Sequence, residues 1–205
     1  MSRQRRSQKS TGSKNAQGMG EVRIIGGDFR GRKLPVLLAD GLRPTSDRVR
    51  ETIFNWLQFD IAGARCLDAF AGSGAIGLEA LSRGAKKVVF LDALPKVQKQ
   101  LQQNLQTLKV ESQQAQVICT DAVHWAQSTA EIPFDVIFLD PPFHKDLMHT
   151  MLQNLFDQGW VSDQTLLYLE QEKSLAWPEL PEGWSCRKEK TTSQVRFGLF
   201  TKQDQ

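Results

Sequence analysis

The chain has 205 residues, 40% hydrophobic and 24% charged, which suits one α/β domain with modest additions. No apolar run approaches the roughly 20 residues that span a bilayer, and the basic, polar start lacks the apolar stretch of a secretory signal. Cys66, Cys119 and Cys186 show no CxxC or Cys/His spacing, so they read as small buried or half-buried side chains in a reducing cytoplasm.

The net charge of +3 is unevenly spread. Residues 1–50 hold 12 Lys/Arg against four Asp/Glu, whereas residues 51–205 hold 14 against 19. Such a basic block suits a polyanion, because each phosphate contact releases counterions. The first 20 residues have little to bury and read as a disordered tail. Arg23, Arg30, Arg32, Lys33, Arg43, Arg48 and Arg50 lie in ordered-looking sequence and are the candidate nucleic-acid contacts.

In chain order, VRIIGGDFRGRKLPV (22–36) reads as two short strands around a glycine-containing turn. LRPTS leads into a helix from about Asp47, with Val49, Ile53, Trp56 and Leu57 at helical spacing and Thr45, Ser46 or Asp47 as its cap. These elements form an extension over residues 21–60. From residue 61 onward strands and helices alternate: strands at 65–70, 87–92, 115–122, 134–143 and 165–172, with helices at 75–83, 96–108 and 147–158. WSCRKEK and QVRFGLF close the chain as an antiparallel pair. Alternation of this length implies a mostly parallel sheet covered on both faces.

Residues 68–77, DAFAGSGAIG, carry Gly72, Gly74 and Gly77 as GxGxxG between a strand and a helix. Glycines there let the backbone approach a ligand closely, and the helix start offers free N–H groups. Asp92 ends the next strand and can accept hydrogen bonds from both hydroxyls of a ribose. Two features select the cofactor. Asp68, at the end of the first strand, opposes a pyrophosphate but suits the cationic amino-acid end of S-adenosylmethionine. Nothing after residue 122 supplies the second half of a dinucleotide fold. Asp121, ending the third strand, can meet the adenine amine or cap the following helix.

Asp140-Pro141-Pro142-Phe143 follows the apolar run VIFL, which places it at the carboxyl end of the fourth strand, on the same crevice. An exocyclic amine on a nucleobase is a poor nucleophile, because its lone pair is delocalised into the ring. The Asp140 carboxylate and the Pro141 carbonyl can each accept one N–H and hold the nitrogen tetrahedral. The prolines stiffen the loop, and Phe143 can stack on a base that has left its helix. His124, His144 and His149 lack metal-ligand spacing, and no metal is expected.

Taken together, RIIGGDFRGRKL, LRPTSDRVRETIFNWL, LDAFAGSGAIGLEALSRGA and LDPPF resemble the 16S ribosomal RNA guanine-N2 methyltransferases of the RsmD family, from about Val22 to Phe200. The resemblance implies a Rossmann-like class I fold: a seven-stranded, mostly parallel sheet with an antiparallel C-terminal strand. It implies methylation of one guanine N2 in 16S rRNA, in an assembled or partly assembled small subunit; a monomer is expected. Asp68, Gly72 and Gly74 would then hold the methionine end, Asp92 the ribose and Asp121 the adenine. Family members often carry a second acid two places after the ribose-binding carboxylate, where this chain has Leu94. A DNA adenine-N6 methyltransferase would also use DPPF, but the chain leaves no room for a separate sequence-reading domain. A glutamine-N5 protein methyltransferase would more often show NPPY. A ribosome-assembly factor would use the same basic surface.

Overall fold

A computed structural model describes residues 19–37, 45–142 and 147–203. The elements are β1 (Met19–Arg23), β2 (Lys33–Leu37), α1 (Asp47–Trp56), β3 (Arg65–Asp68), α2 (Ala75–Ser82), β4 (Lys87–Asp92) and α3 (Pro95–Leu108), followed by β5 (Ala115–Cys119), α4 (Ala122–Trp125), β6 (Val136–Leu139), α5 (Leu147–Asp157), β7 (Leu166–Glu172), β8 (Trp184–Thr191) and β9 (Val195–Lys202). β1 pairs with β2 from Met19↔Leu37 to Arg23↔Lys33. Met19 and Gly20, expected in the tail, are therefore strand residues.

Seven strands form one sheet in the order β5-β4-β3-β6-β7-β9-β8. β3 to β7 run parallel, β9 runs against β7, and β8 pairs antiparallel with β9. This is the expected sheet with its reversed last strand. The chain moves outward from β3 through β4 to β5, then returns to the other side of β3 as β6. At such a switch point the connections diverge and leave a crevice beyond the carboxyl ends of the strands.

The strands alternate between two cores, as a sheet covered on both faces requires. In β6, Val136 and Phe138 join Ile24, Ile53, Phe54, Leu78 and Phe90 on one face. Ile137 and Leu139 join Leu67, Leu91, Met151 and Leu155 on the other. α1 begins where Ser46 accepts a hydrogen bond from Val49 N–H, 3.3 Å away. Cys66 is buried as expected, but Cys119 and Cys186 are exposed, because β5 and β8 are the sheet's edge strands.

The hairpin is fastened to the sheet by one buried carboxylate. Glu79, in an otherwise apolar helix, is fully buried. Its Oε2 accepts from Ile25 N–H and its Oε1 from Gly26 N–H, both at 2.8 Å. Arg83 Nε donates to Oε1 at 2.8 Å, and Arg50 Nη1 lies 3.6 Å from Oε2. Next to it, Ser82 Oγ accepts from Phe29 N–H, and Asp28 N–H donates to the Ser82 carbonyl at 2.7 Å. Gly27 has φ +74°, and a Cβ there would fall 1.8 Å from the Ser82 carbonyl oxygen. The RIIGGD segment is thus a docking strip on the end of α2.

This arrangement corrects one assignment. Arg50 is completely buried, donating to the Arg23 carbonyl at 2.8 Å and to Asp47 at 2.5 Å. It has no surface to offer a phosphate, and its charge is used inside the fold.

Replacing Glu79 by Ala leaves two backbone N–H groups and the Arg83 guanidinium without their acceptor, and removes one carboxylate from beside the buried Arg50. Glu79→Ala should therefore cost about 3–5 kcal/mol of stability, the usual scale for breaking a buried ion pair from one side. Urea melts of the two proteins check this; a loss below about 1 kcal/mol, the scale of an exposed pair, would contradict it.

Candidate active site at the carboxyl ends of the strands

The glycine turn has the backbone its sequence requires. Gly72 (φ +49°) and Gly74 (φ +73°) occupy the left-handed region, and Gly74 caps α2. A Cβ at Gly74 would fall 2.2 Å from Leu101 Cδ2, and one at Gly77 would fall 2.2 Å from Phe90 Cε1. The third glycine therefore serves close helix–strand packing. Asp92 braces the turn through Oδ2, which accepts from Gly72 N–H at 3.0 Å, while Oδ1 accepts from Leu94 N–H at 2.8 Å at the start of α3. Asp68 Oδ2 accepts from Gly77 N–H at 3.0 Å.

Along the sheet order β5, β4, β3, β6 and β7, the carboxyl ends carry Asp121, Asp92, Asp68, Asp140 and Glu170 in succession. Five acids thus share one rim of the sheet. Burial pushes the Asp68 carboxyl up to about 7; the Gly77 N–H draws it down and the Asp92 charge adds to the rise. Asp140 is held well above the ordinary carboxylate range, first by burial, then by Glu170 and Asp68, while a hydrogen bond with Thr45 opposes the rise. A ligand with a positive charge would relieve this crowding. The cationic ammonium and sulfonium of S-adenosylmethionine fit such a rim, and a pyrophosphate does not.

Asp140 and the buried Pro141 directly follow β6, beside the switch point with β3. Phe143 and Arg43 lie outside the described residues. Asp121 is exposed and caps α4, Oδ1 accepting from His124 N–H at 2.8 Å. Arg23, Arg30, Arg32, Lys33 and Arg48 are exposed. Arg32 also donates to the Thr107 carbonyl at 3.1 Å, and Lys33 lies 2.9 Å from Glu21. Among the described residues, no group of three or more His, Cys, Asp or Glu is arranged to hold a metal ion, and no helix is long and apolar enough to cross a membrane.

Sequence reasoning missed Glu170 and Tyr168, and it offered Thr45 only as a helix cap, whereas Ser46 is the cap and Thr45 hydrogen-bonds Asp140. Glu170 is a carboxylate in the buried run LLYLEQ, and Tyr168 donates its hydroxyl to Glu170 Oε2 at 2.5 Å. An acid inside an apolar central strand was the available signal.

The sheet order and the acidic rim define a class I S-adenosylmethionine-dependent methyltransferase. Solved structures agree: an Escherichia coli methyltransferase superposes with a TM-score of 0.83 at 43% identity, covering 91% of this chain and all of that one. The family model described as conserved hypothetical protein 95 matches residues 22–201. "Ribosomal RNA small subunit methyltransferase D" of Haemophilus influenzae is 51% identical over 182 residues, 88% of this chain and 94% of that protein. Its Escherichia coli K12 namesake is 45% identical over 191 residues, 93% and 95% of the two chains. The chain belongs to this family, the RsmD family.

The Asp68 carboxyl binds its proton more tightly in the fold than in the unfolded chain. Its stabilising contribution is complete below about pH 4 and is lost as pH rises through 7. Between those values the cofactor-free parent should lose on the order of 4 kcal/mol relative to Asp68→Asn. Urea melts across this range test it, and parallel stability curves for the two proteins would contradict it.

Proposed function

We propose that this chain transfers the methyl group of S-adenosylmethionine to the exocyclic N2 amine of one guanine in 16S rRNA, within an assembled or partly assembled small subunit. The observation that carries the reading is Asp140: a carboxylate followed by a buried proline, at the end of β6 and two residues beyond Phe138, which is level with Asp68 on β3. The relatives' names supply the rRNA substrate. Guanine N2 follows from the family resemblance.

In this reading Asp68, Gly72 and Gly74 hold the methionine end, Asp92 the ribose and Asp121 the adenine. When bound, S-adenosylmethionine supplies a methyl group already activated by its sulfonium. The residues of the chain mainly position the nucleophile. Asp140 and the Pro141 carbonyl each accept an amine N–H, directing the nitrogen lone pair at the methyl carbon. Phe143 stacks on the flipped base. Arg23, Arg30, Arg32, Lys33, Arg43 and Arg48 meet phosphates from the extension of residues 21–60, while residues 61–205 form the catalytic unit. The protein works as a monomer in the cytoplasm and without a metal.

With labelled donor, methyl transfer should appear in small-subunit particles and not in duplex DNA, and binding should weaken steeply with salt. Asp140→Ala should keep donor affinity while slowing single-turnover methylation roughly 100-fold or more. Label in the adenine of duplex DNA, or full activity of Asp140→Ala, would overturn this reading.

Donor binding should also depend on pH. The ammonium requires Asp68 ionised, so affinity should fall about tenfold per pH unit below 7. Calorimetry should find that dependence lost in Asp68→Asn; a parent affinity constant from pH 5 to 8 would sink this role for Asp68.

A further inference from the structure

Asp140 has an immediate neighbour on the next strand. Leu139 is level with Leu169 across the parallel β6–β7 pair, so the next step in register sets Asp140 level with Glu170. Each lies two residues beyond a member of the same core, Phe138 and Tyr168, and therefore on the same face of the sheet. Glu170 is only 6% exposed, and Tyr168 holds its Oε2.

The other groups on this face are known. β3 contributes Asp68, and the segment before α1 contributes the Thr45 hydroxyl. β9 sets Phe197 opposite Glu170. From α1, Phe54 and Trp56 pack on Phe138 and Phe197, while Arg50 is turned to Asp47 and Glu79. Among the described residues no ion pair reaches Glu170. A buried acid without a cation is costly to keep, and its position gives it a use.

We propose that Glu170, held by Tyr168, is a positioning residue that keeps Asp140 basic enough to take the proton the target amine loses during methyl transfer. The inference rests on the reading of Asp140 given above. As the nitrogen lone pair forms the N–C bond, the C–S bond breaks and its electron pair stays on sulfur. One N–H proton passes to the Asp140 carboxylate, and from there to solvent as the product leaves. An isolated exposed aspartate, an ordinary weak base, would serve this step poorly. The charge of Glu170 acts with burial to hold the proton on Asp140.

The test is the pH dependence of single-turnover methylation with saturating donor. Glu170→Gln keeps the side-chain shape and an acceptor for Tyr168 but removes the charge. The acid limb of its profile should move toward lower pH by about one unit and the plateau should fall roughly three- to tenfold, with donor affinity and particle KM changed less than about twofold. Tyr168→Phe, which leaves the ring packing intact, should move the limb the same way, because Glu170 without its donor stays protonated to higher pH. It serves as the probe if Glu170→Gln does not fold. Asp140→Asn, measured alongside, separates the two readings. Profiles of both neighbour variants superimposed on the parent's, with Asp140→Asn severely slowed, would overturn the inference alone. Parental rates in Asp140→Asn would overturn both.

Discussion

The Glu79 carboxylate is the contact on which the rest of the N-terminal architecture depends. Two consecutive backbone N–H groups of the hairpin, the Arg83 guanidinium and the buried Arg50 of α1 converge on it. Burying a charge is tolerable only when its hydrogen-bonding capacity is met; here the hairpin and Arg83 supply the hydrogen bonds, and the Arg50 cation stands 3.6 Å away. The hairpin buries Val22, Ile24, Leu34 and Val36, with Phe29 and Leu37 packed on the main core. Polar contacts with the end of α2 and with Asn104 and Thr107 of α3 add direction to that apolar packing. The resulting pose leaves Arg23, Arg30, Arg32 and Lys33 exposed.

α2 links this hub to the rim. Its first turn grows out of the glycine turn, where Gly77 N–H meets Asp68, and its last turn carries Glu79 and Ser82. One eight-residue helix therefore serves the acidic rim with one end and the hairpin with the other. The two clusters differ in electrostatic character. At Glu79 acid and base are matched inside the protein, whereas along the rim acids face acids. The first is a structural joint, and the second concentrates like charge at the mouth of the crevice.

Most of the fold was legible because the strands are short apolar runs ending in acids, and each acid marks where a strand meets the crevice. Asp68, Asp92 and Asp140 were found that way. Arg50 was misjudged because counting charge takes no account of burial. Residues 50, 53, 54 and 57 stand at i, i+3, i+4 and i+7, so Arg50 sits on the apolar stripe of α1, a signal its charge obscured. Glu79 and Glu170 were passed over for the opposite reason. Each is an acid at an apolar stretch, and some of the neighbours that explain it, Ile25 and Gly26 for Glu79 and Asp140 for Glu170, lie far away in the chain or across a strand pair. Thr45 belongs to a segment whose importance the resemblance indicated, but its partner Asp140 is nearly a hundred residues downstream.

The side chains and backbone groups gathered at Glu79 all come from residues 23–83, whereas the acidic rim is unfinished until residue 170 has joined the sheet. During synthesis the first half of the chain can set its polar joint while β6 and β7 are still being made. The rim gains Asp140 and Glu170 only when β6 and β7 have joined the sheet beside β3. A chain ending before β6 would carry Asp68 and Asp92 without the two acids that stand next to them in the sheet order.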